Sequence, residues 1–432
     1  MSFTLIASIV CFLIFVVILA IPKIPNALSF FVLAPLTILT GVLEPKDVYG
    51  VFSSGSLFLM MVIGMFTHLM TISGADLVIG SLVERFTKNV PEKRKETSIF
   101  LILFLVAAAF SAFLQNVSVA MAMLPAVYGI SRTSRISRSK MILFLIYATT
   151  LGGAVTLIGT PTNVFASGAL EEVGLAPLGF FDFAWVAVPI LILGGAYMVI
   201  FHKRCPGYDD YDDEDAPEDT VDSPRKARQR TWTFAGFILF VLLLIANSLI
   251  KSSGVRFAAY IIAFGVFAVM YLTKVFSWKE IIHGYPYENV IFTAGILLAI
   301  RIVTTTNLGE AFGNLVISVV GESSNLYVIT AVLFIATAIV TQFMNNMACA
   351  GALAPIGIAI ANSMGANPQA IVLTIAIGAG CSYLTPMASG TNQTMVAFTR
   401  LKFQDFAKFG WPLVIISFVC CVFILPQVFP FF

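Results

Sequence analysis

Long apolar runs alternate with short polar segments along almost the whole chain. Many of the runs reach about 18–22 residues, which at about 1.5 Å per residue is enough for a helix to cross the hydrocarbon layer of a bilayer. This pattern predicts a polytopic membrane protein. We expect transmembrane helices at about 3–21, 25–43, 53–73, 141–170, 183–201, 232–250, 256–273, 288–306, 368–398 and 411–430.

Two further pairs of apolar runs carry amide side chains in the middle. The first pair is 98–114 with 117–130, and the second is 326–344 with 346–361. The tripeptides Gln115-Asn116-Val117 and Asn345-Asn346-Met347 separate their arms. Each arm is about as long as a half-span to a short span. We therefore predict two re-entrant hairpins, 98–130 and 326–361, with polar tips inside the membrane.

Each polar tip is followed some 40 residues later by a second interruption. The first is Gly159-Thr160-Pro161-Thr162-Asn163, and the second runs from Leu384-Thr385-Pro386 to Gly390-Thr391-Asn392. A proline preceded by threonine inside an apolar run predicts a broken helix. We expect one broken helix over 141–170 and another over 368–398.

The two halves of the chain show the same order of elements. Asn346 follows Asn116 by 230 residues, and Pro386 follows Pro161 by 225. We predict an all-α membrane protein built from two inverted repeats, 1–201 and 232–432. Each repeat has five transmembrane helices and one re-entrant hairpin, with broken helices at the substrate site, an architecture found in many secondary transporters.

Charge is distributed unevenly around the spans. The hydrophobic fraction is 59% and the charged fraction only 11%, and 21 of the 25 Lys and Arg residues fall on one predicted side. The positive-inside rule makes that side, with loops 84–97, 131–140 and 202–231, cytoplasmic in the cell (inner) membrane. Counting each hairpin as two crossings leaves the sides unchanged, so charge indicates orientation but not re-entrance. The acidic run Tyr208–Asp215 predicts a solvated cytoplasmic linker at 202–231.

Motifs for ATP hydrolysis and for familiar enzyme classes are missing from the sequence. It contains no Walker sequence, HExxH, GxSxG or paired intramembrane carboxylates, so we expect no enzyme. His68 is the one histidine within a predicted span, and the two interrupted regions contain no carboxylate. This weakens proton coupling, because a proton carrier commonly uses a buried carboxylate or histidine.

Uncharged oxygen ligands suit a sodium ion. Broken helices expose backbone carbonyls at their C-terminal ends and positive N–H groups at their N-terminal ends. Ser111, Asn116 and Gly159 are predicted to form one cation site; Thr341 and Asn346, with carbonyls near Leu384, form a second. An anion would then bind between the two tips. A lone Asn is often only a contact between helices, but two at matched positions favour a site.

These motifs together resemble the divalent anion:sodium symporters, the sodium/dicarboxylate and sodium/sulfate carriers of the ion transporter superfamily. The resemblance covers nearly the whole chain in both repeats. It implies that Asn116 and Asn346 contact both substrate and sodium, and that Ser111 and Thr341 are sodium ligands. The predicted substrate-binding residues are Gln115, Asn116, Val117, Thr160, Pro161, Asn345, Asn346, Met347, Thr385 and Pro386.

The chain departs from the family at each hairpin tip, where the family has Ser-Asn-Thr. Gln115 and Asn345 replace the Ser, while Val117 and Met347 replace the Thr. Two hydroxyl donors are lost and apolar bulk is added, so a smaller, singly charged or partly apolar anion becomes an alternative to a dicarboxylate.

The sequence thus predicts a secondary active transporter that couples sodium to the symport of a di- or tricarboxylate, sulfate or related small anion. Sodium is co-transported rather than held as a resident cofactor. An anion exchanger and a proton-coupled anion carrier stay open as alternatives, with a channel less favoured. The expected partners are a small anionic substrate and membrane lipid, with no nucleic acid. The resemblance also implies a homodimer with an elevator-type movement.

Overall fold

A computed structural model describes residues 3–430 except 22, 76, 89, 91–94, 212–222, 251–252, 307 and 309–324. The described residues form α-helices joined by short turns, with no β-strand among them. The helices are α1 (Phe3–Ala20), α2 (Leu28–Leu39), α3 (Pro45–Gly50), α4 (Gly55–Ser73), α5 (Leu77–Thr87), α6 (Lys95–Ser111), α7 (Asn116–Ser134), α8 (Arg138–Gly153), α9 (Pro161–Glu172), α10 (Ala184–Ile200), α11 (Pro224–Ile250), α12 (Ser253–Leu272), α13 (Trp278–Ile282), α14 (Tyr287–Thr305), α15 (Leu326–Val340), α16 (Asn346–Ser363), α17 (Gln369–Gly380), α18 (Gly390–Val396) and α19 (Phe403–Val428).

Several of these helices are suited to a membrane. Six helical stretches in the described chain have the length and apolar composition needed to cross one, and other apolar helices are shorter. A helix covers most of each predicted span. The predicted loop 84–97 is shorter than expected, because α5 continues to Thr87 and α6 begins at Lys95.

Both predicted helix breaks are present. In the first half, α8 ends at Gly153 and α9 begins at Pro161, whose missing N–H costs nothing at the first position of a helix. In the second half, α17 ends at Gly380 and α18 begins at Gly390. Two non-helical segments, 154–160 and 381–389, therefore lie inside the protein.

The helices pack into two groups. One contains α1, α2, α4, α11, α12 and α14, and the other contains α6–α10 with α15–α19. Contacts of α9 with α4 and α14, and of α16 with α1 and α14, join the groups. Gly168 permits the close approach of α9, because a Cβ there would lie 2.9 Å from the Cβ of Ser56 on α4.

One residue of the predicted acidic linker, Asp210, is packed rather than solvated. Asp210 is only 1% exposed. Its carboxylate accepts hydrogen bonds from Arg138 N and Ser139 N, both at 2.9 Å, and from the hydroxyls of Ser137 and Ser139. A carboxylate at this position compensates the positive N-terminus of α8. The far end of the linker is helical from Pro224, and residues 212–222 lie outside the described residues.

Candidate functional site

Each hairpin tip places an asparagine beside a hydroxyl five residues earlier. Ser111 Oγ donates to Asn116 Oδ1 at 2.6 Å. The Thr341 hydroxyl lies 3.1 Å from the side-chain amide of Asn346. The chain turns between these residues because α6 ends at Ser111 and α7 restarts at Asn116, and the same happens between α15 and α16. The structure thus brings together both pairs predicted from the sequence as sodium ligands.

The amide of Asn346 fits its surroundings in one orientation. In that orientation Nδ2 donates to the carbonyl oxygens of Ala388 at 2.8 Å and Ala379 at 3.0 Å, and to Thr341 Oγ1 at 3.1 Å. Thr341 Oγ1 in turn donates to Ala379 O at 2.7 Å. Three uncharged oxygens therefore surround the amide nitrogen of Asn346. Oxygens are the ligands that hard cations prefer.

The first tip is built more tightly against its broken helix. A Cβ added to Gly153 would lie 2.2 Å from Asn116 Oδ1, and one added to Gly159 would lie 2.3 Å from Gly153 O. Glycine is needed at both positions because the Asn116 side chain and the backbone of the break approach so closely.

Matching side chains hold the two breaks. Asn163 Nδ2 donates to Thr156 O at 2.8 Å, and Asn392 Nδ2 donates to Thr385 O at 2.8 Å. The Thr156 hydroxyl donates to Ala112 O, and the Thr385 hydroxyl to Gln342 O. In each break, the amide therefore holds the threonine's carbonyl while the threonine's hydroxyl holds the nearby hairpin tip.

These bonds correct the predicted match between the two breaks. Thr385 corresponds to Thr156, not to Thr160, and the residue that corresponds to Thr160 is Ser389. Thr160 and Ser389 are N-caps whose side chains accept from the backbone N–H three residues later. The offset is 229 residues, the separation of Asn163 and Asn392. The prediction followed the two Thr-Pro pairs, although the shared Thr-Asn pairs at 162–163 and 391–392 give the correct register.

A cavity of about 540 Å³ lies between the tips and the breaks. Most of the predicted substrate-binding residues line it, and so does Gly159. The predicted residues in the lining are Gln115, Asn116, Val117, Gly159, Thr160, Pro161, Asn345, Asn346 and Met347. Thr385 and Pro386 are not in the lining, and Ser389, Gly390 and Thr391 contribute from that break instead. Ser111 and Thr341 lie behind the tip asparagines, fully buried.

Three of the lining residues that were not predicted from the sequence belong to distant segments. Glu288 and Asn289 come from the first turn of α14, and Asn26 comes from the turn before α2. Glu288 marks the predicted start of a span, so the sequence placed it at a boundary without showing what it faces. α14 packs against α2 and α4 of its own group and against α9 and α16 of the other group, which brings Glu288 to the cavity.

The electrostatics of the cavity depend mainly on the backbone. Among the described residues that line it, Glu288 carries the one charged side chain. The helices α7, α9 and α16 are 12–19 residues long, and each begins at a lining residue. Their N-termini supply positive partial charge and free N–H groups, which favour an anion. The α7 N-cap, Gln115, makes no side-chain capping bond.

Two charged or titratable residues inside predicted spans, His68 and Arg301, lie away from the cavity. Arg301 bonds to the Glu172 carboxylate and to Asp47 O. His68 packs beside Gly284, where an added Cβ would lie 2.8 Å from the His68 Cβ. Neither residue lines the cavity.

The sequence matches a known family over most of its length. A family model described as CitMHS, citrate transporter, matches residues 12–378. The chain belongs to this citrate transporter family. Its placement in the ion transporter superfamily, predicted from the motifs, is confirmed. The protein is thus a membrane transporter of the citrate/dicarboxylate permease group and a multi-pass integral protein of the cell membrane.

Two curated proteins that resemble this member of the citrate transporter family are described as transporters. An uncharacterized transporter of Haemophilus influenzae is 26% identical over 342 residues, covering 74% of this chain and 70% of that protein. The sodium-dependent dicarboxylate transporter SdcS of Staphylococcus aureus is 23% identical over 365 residues, covering 77% of this chain and 70% of that one.

Solved structures share the fold. The YdaH transporter of Alcanivorax borkumensis aligns with a TM-score of 0.60 at 14% identity, over 91% of this chain and 87% of that one. MtrF of Neisseria gonorrhoeae aligns with a TM-score of 0.59 at 15% identity, over 90% and 83%. At these identities the likeness concerns the fold alone.

Proposed function

We propose that this member of the citrate transporter family is a sodium-coupled symporter of a small anion. The observation that carries the proposal is the joint position of both tip asparagines in one cavity, each paired with a hydroxyl. In this scheme sodium binds uncharged oxygens at each tip. The anion binds between the tips, where the helix N-termini and the bound cations offset its charge.

The two halves are proposed to be inverted repeats that act together. The recurring bonds of Thr156 with Asn163, and of Thr385 with Asn392, support this reading. Sodium would stabilise the two interrupted segments and so create the anion site, which couples the two binding events. A homodimeric assembly remains part of the proposal through the family resemblance.

Carboxylates are the first substrates to test. The family description names citrate, and the name of the SdcS relative names dicarboxylates. The lining supplies amides at Asn26, Gln115 and Asn289 together with thioethers at Met347 and Met387. Because this lining is partly apolar, monocarboxylates belong in the panel beside dicarboxylates, citrate and sulfate.

Uptake into liposomes tests the proposed coupling. The purified protein is reconstituted, and labelled anions are offered under an inward sodium gradient, a proton gradient or a counter-anion gradient. Sodium-driven accumulation that persists without a pH gradient supports symport. Uptake that ignores sodium but follows pH contradicts it, and exchange that requires internal anion supports an exchanger.

Proton coupling is the second candidate, because Glu288 places a carboxylate in the cavity. A carboxylate that faces a transport cavity can bind and release a proton during each cycle. If protons drive transport, Glu288→Gln abolishes accumulation driven by pH. If sodium drives transport, the same variant retains sodium-driven uptake. Glu44→Gln, outside the cavity, is the matched control.

A further inference from the structure

The two halves share a hydrogen bond between the break and the hairpin tip. The Thr156 hydroxyl donates to the carbonyl of residue 112, and the Thr385 hydroxyl donates to the carbonyl of residue 342 at 2.7 Å. Positions 112 and 342 therefore correspond, one residue after Ser111 and Thr341. The residue types at these two positions differ, since 112 is Ala and 342 is Gln.

Gln342 makes three side-chain bonds for which Ala112 has no atoms. Its Nε2 donates to Cys381 O at 2.8 Å and to Ala338 O at 2.8 Å. Its Oε1 accepts from Leu384 N at 3.0 Å. The side chain is 5% exposed. Gln342 thus spans from α15 to both ends of the segment 381–384 and satisfies backbone groups that no helix satisfies.

The Gln342 side chain lies beside the carbonyl oxygens that contact the Asn346 amide. Ala379 and Ala388, whose carbonyls contact the Asn346 amide, flank the segment that Gln342 holds. In the first half, Gly152 and Gly153 replace Cys381 and Ser382, and the side-chain bonds to the break come from Thr156 and Asn163. The segment 381–384, which lies between the carbonyl oxygens that contact Asn346, is therefore held by side-chain bonds from Gln342 in addition to those from Thr385 and Asn392, whereas Ala112 adds none in the first half.

We propose that Gln342 is a positioning residue that preorganises the cation site at the second tip, so that the two cation sites are unequal. The inference rests on the proposed sodium-coupled function. The second site loses little conformational freedom when a cation binds and has the higher affinity. The first site has Ala112 in place of Gln342. It becomes ordered when the cation binds and supplies most of the coupling to the anion.

Gln342→Met tests the role without leaving a large void, because Met has similar length but none of the amide groups. Sodium concentration for half-maximal uptake and the maximal rate are measured in liposomes. We expect half-saturation to rise about tenfold with the maximal rate within about twofold of wild type, since each lost bond weakens positioning modestly. Gln342→Ala is the second variant and changes half-saturation in the same direction.

The control removes a buried amide elsewhere. Gln229 is 4% exposed and donates to Val275 O at 3.0 Å. Gln229→Met is expected to leave the sodium dependence unchanged, which separates a specific effect from loss of any buried amide. Sodium-dependent thermal shifts of the purified variants report binding independently of transport.

The outcomes separate the inference from the function on which it rests. If Gln342→Met leaves the sodium half-saturation unchanged while wild-type uptake depends on sodium, the proposed role of Gln342 is overturned but the proposed symport is not. A lower maximal rate with unchanged half-saturation also overturns the role of Gln342, because that result indicates a merely structural role. A wild type whose uptake ignores sodium overturns the proposed symport itself.

Discussion

At the scale of single residues, the site depends on small polar side chains that position backbone groups. The tip asparagines each contact a hydroxyl, and the break asparagines each hold backbone carbonyls. A buried amide offers two donors and one acceptor group, so it can fix several backbone groups that a broken helix leaves unsatisfied. Neutral groups do this without the desolvation cost of a buried charge.

Replacing either tip asparagine is expected to weaken sodium binding and transport together. Asn116→Ala and Asn346→Ala each remove the side-chain amide of a proposed sodium site, so we expect the sodium half-saturation to rise at least about tenfold. Sodium-dependent uptake in liposomes is the measurement. Asn362→Ala is the matched control, because Asn362 is exposed on the same helix as Asn346 and outside the cavity. Retained sodium dependence in both tip variants would refute their assignment as ligands.

The corrected register of the second break gives a separate prediction. Thr160→Ala and Ser389→Ala each remove an N-cap in the cavity lining, which costs about 1 kcal/mol of local stability. We expect each to raise the anion half-saturation about fivefold. Pro386→Ala, outside the lining, should change it by less than about twofold. The opposite ranking of Ser389→Ala and Pro386→Ala in uptake assays would restore the register based on the Thr-Pro pairs.

At the scale of elements, close contact between a hairpin tip and a broken helix shapes each half of the site. The end of α8 approaches α6 at Gly152 and the start of α7 at Gly153 without an intervening side chain. In the second half, Cys381 and Ser382 occupy the equivalent segment, and Gln342 fills the space between it and α15. Close backbone packing therefore stabilises this part of the first half, whereas the Gln342 side chain stabilises the equivalent part of the second half.

Gly153→Ala tests the contact in the first half. The new methyl group would lie 2.2 Å from Asn116 Oδ1, so the tip must move away from the break. We expect sodium-driven uptake to fall more than about tenfold, since overpacking costs about 1–3 kcal/mol and would displace Asn116, which belongs to a proposed sodium site. Gly380→Ala is the control, because a Cβ there meets nothing within 4 Å. Equal uptake by both variants in the same liposome assay would contradict the contact's importance.

At the scale of the whole molecule, a buried ion pair joins the two groups of helices. Glu172 lies at the C-terminal end of α9, where the helix dipole disfavours a carboxylate, and its side chain is 6% exposed. Arg301 of α14 pairs with it and also donates to Asp47 O. The pair offsets part of the unfavourable effect of the dipole and of the burial of the carboxylate.

Breaking this pair should destabilise the fold. Arg301→Met leaves Glu172 buried without its cation, and loss of one partner of a buried pair costs about 3 kcal/mol. We expect the thermal midpoint of the purified protein to fall by several degrees. Arg225→Met is the control, because its pair with Glu280 is exposed and worth less than about 1 kcal/mol. The double variant Glu172→Gln with Arg301→Met should recover part of the loss. If the midpoint of Arg301→Met is no lower than that of Arg225→Met, the proposed role of the pair is contradicted.

The sequence alone determined the helical membrane class and both interrupted regions, because hydrophobic length and helix-breaking residues act locally along the chain. It also paired Ser111 with Asn116 and Thr341 with Asn346, since the predicted turn at each hairpin tip brings residues five apart close together. Only the tertiary structure decided that Ser389 rather than Thr385 faces the cavity, and that Glu288 joins it. Those positions depend on how α14, α18 and the hairpin tips pack, and contacts between segments distant in the chain are not encoded by local periodicity.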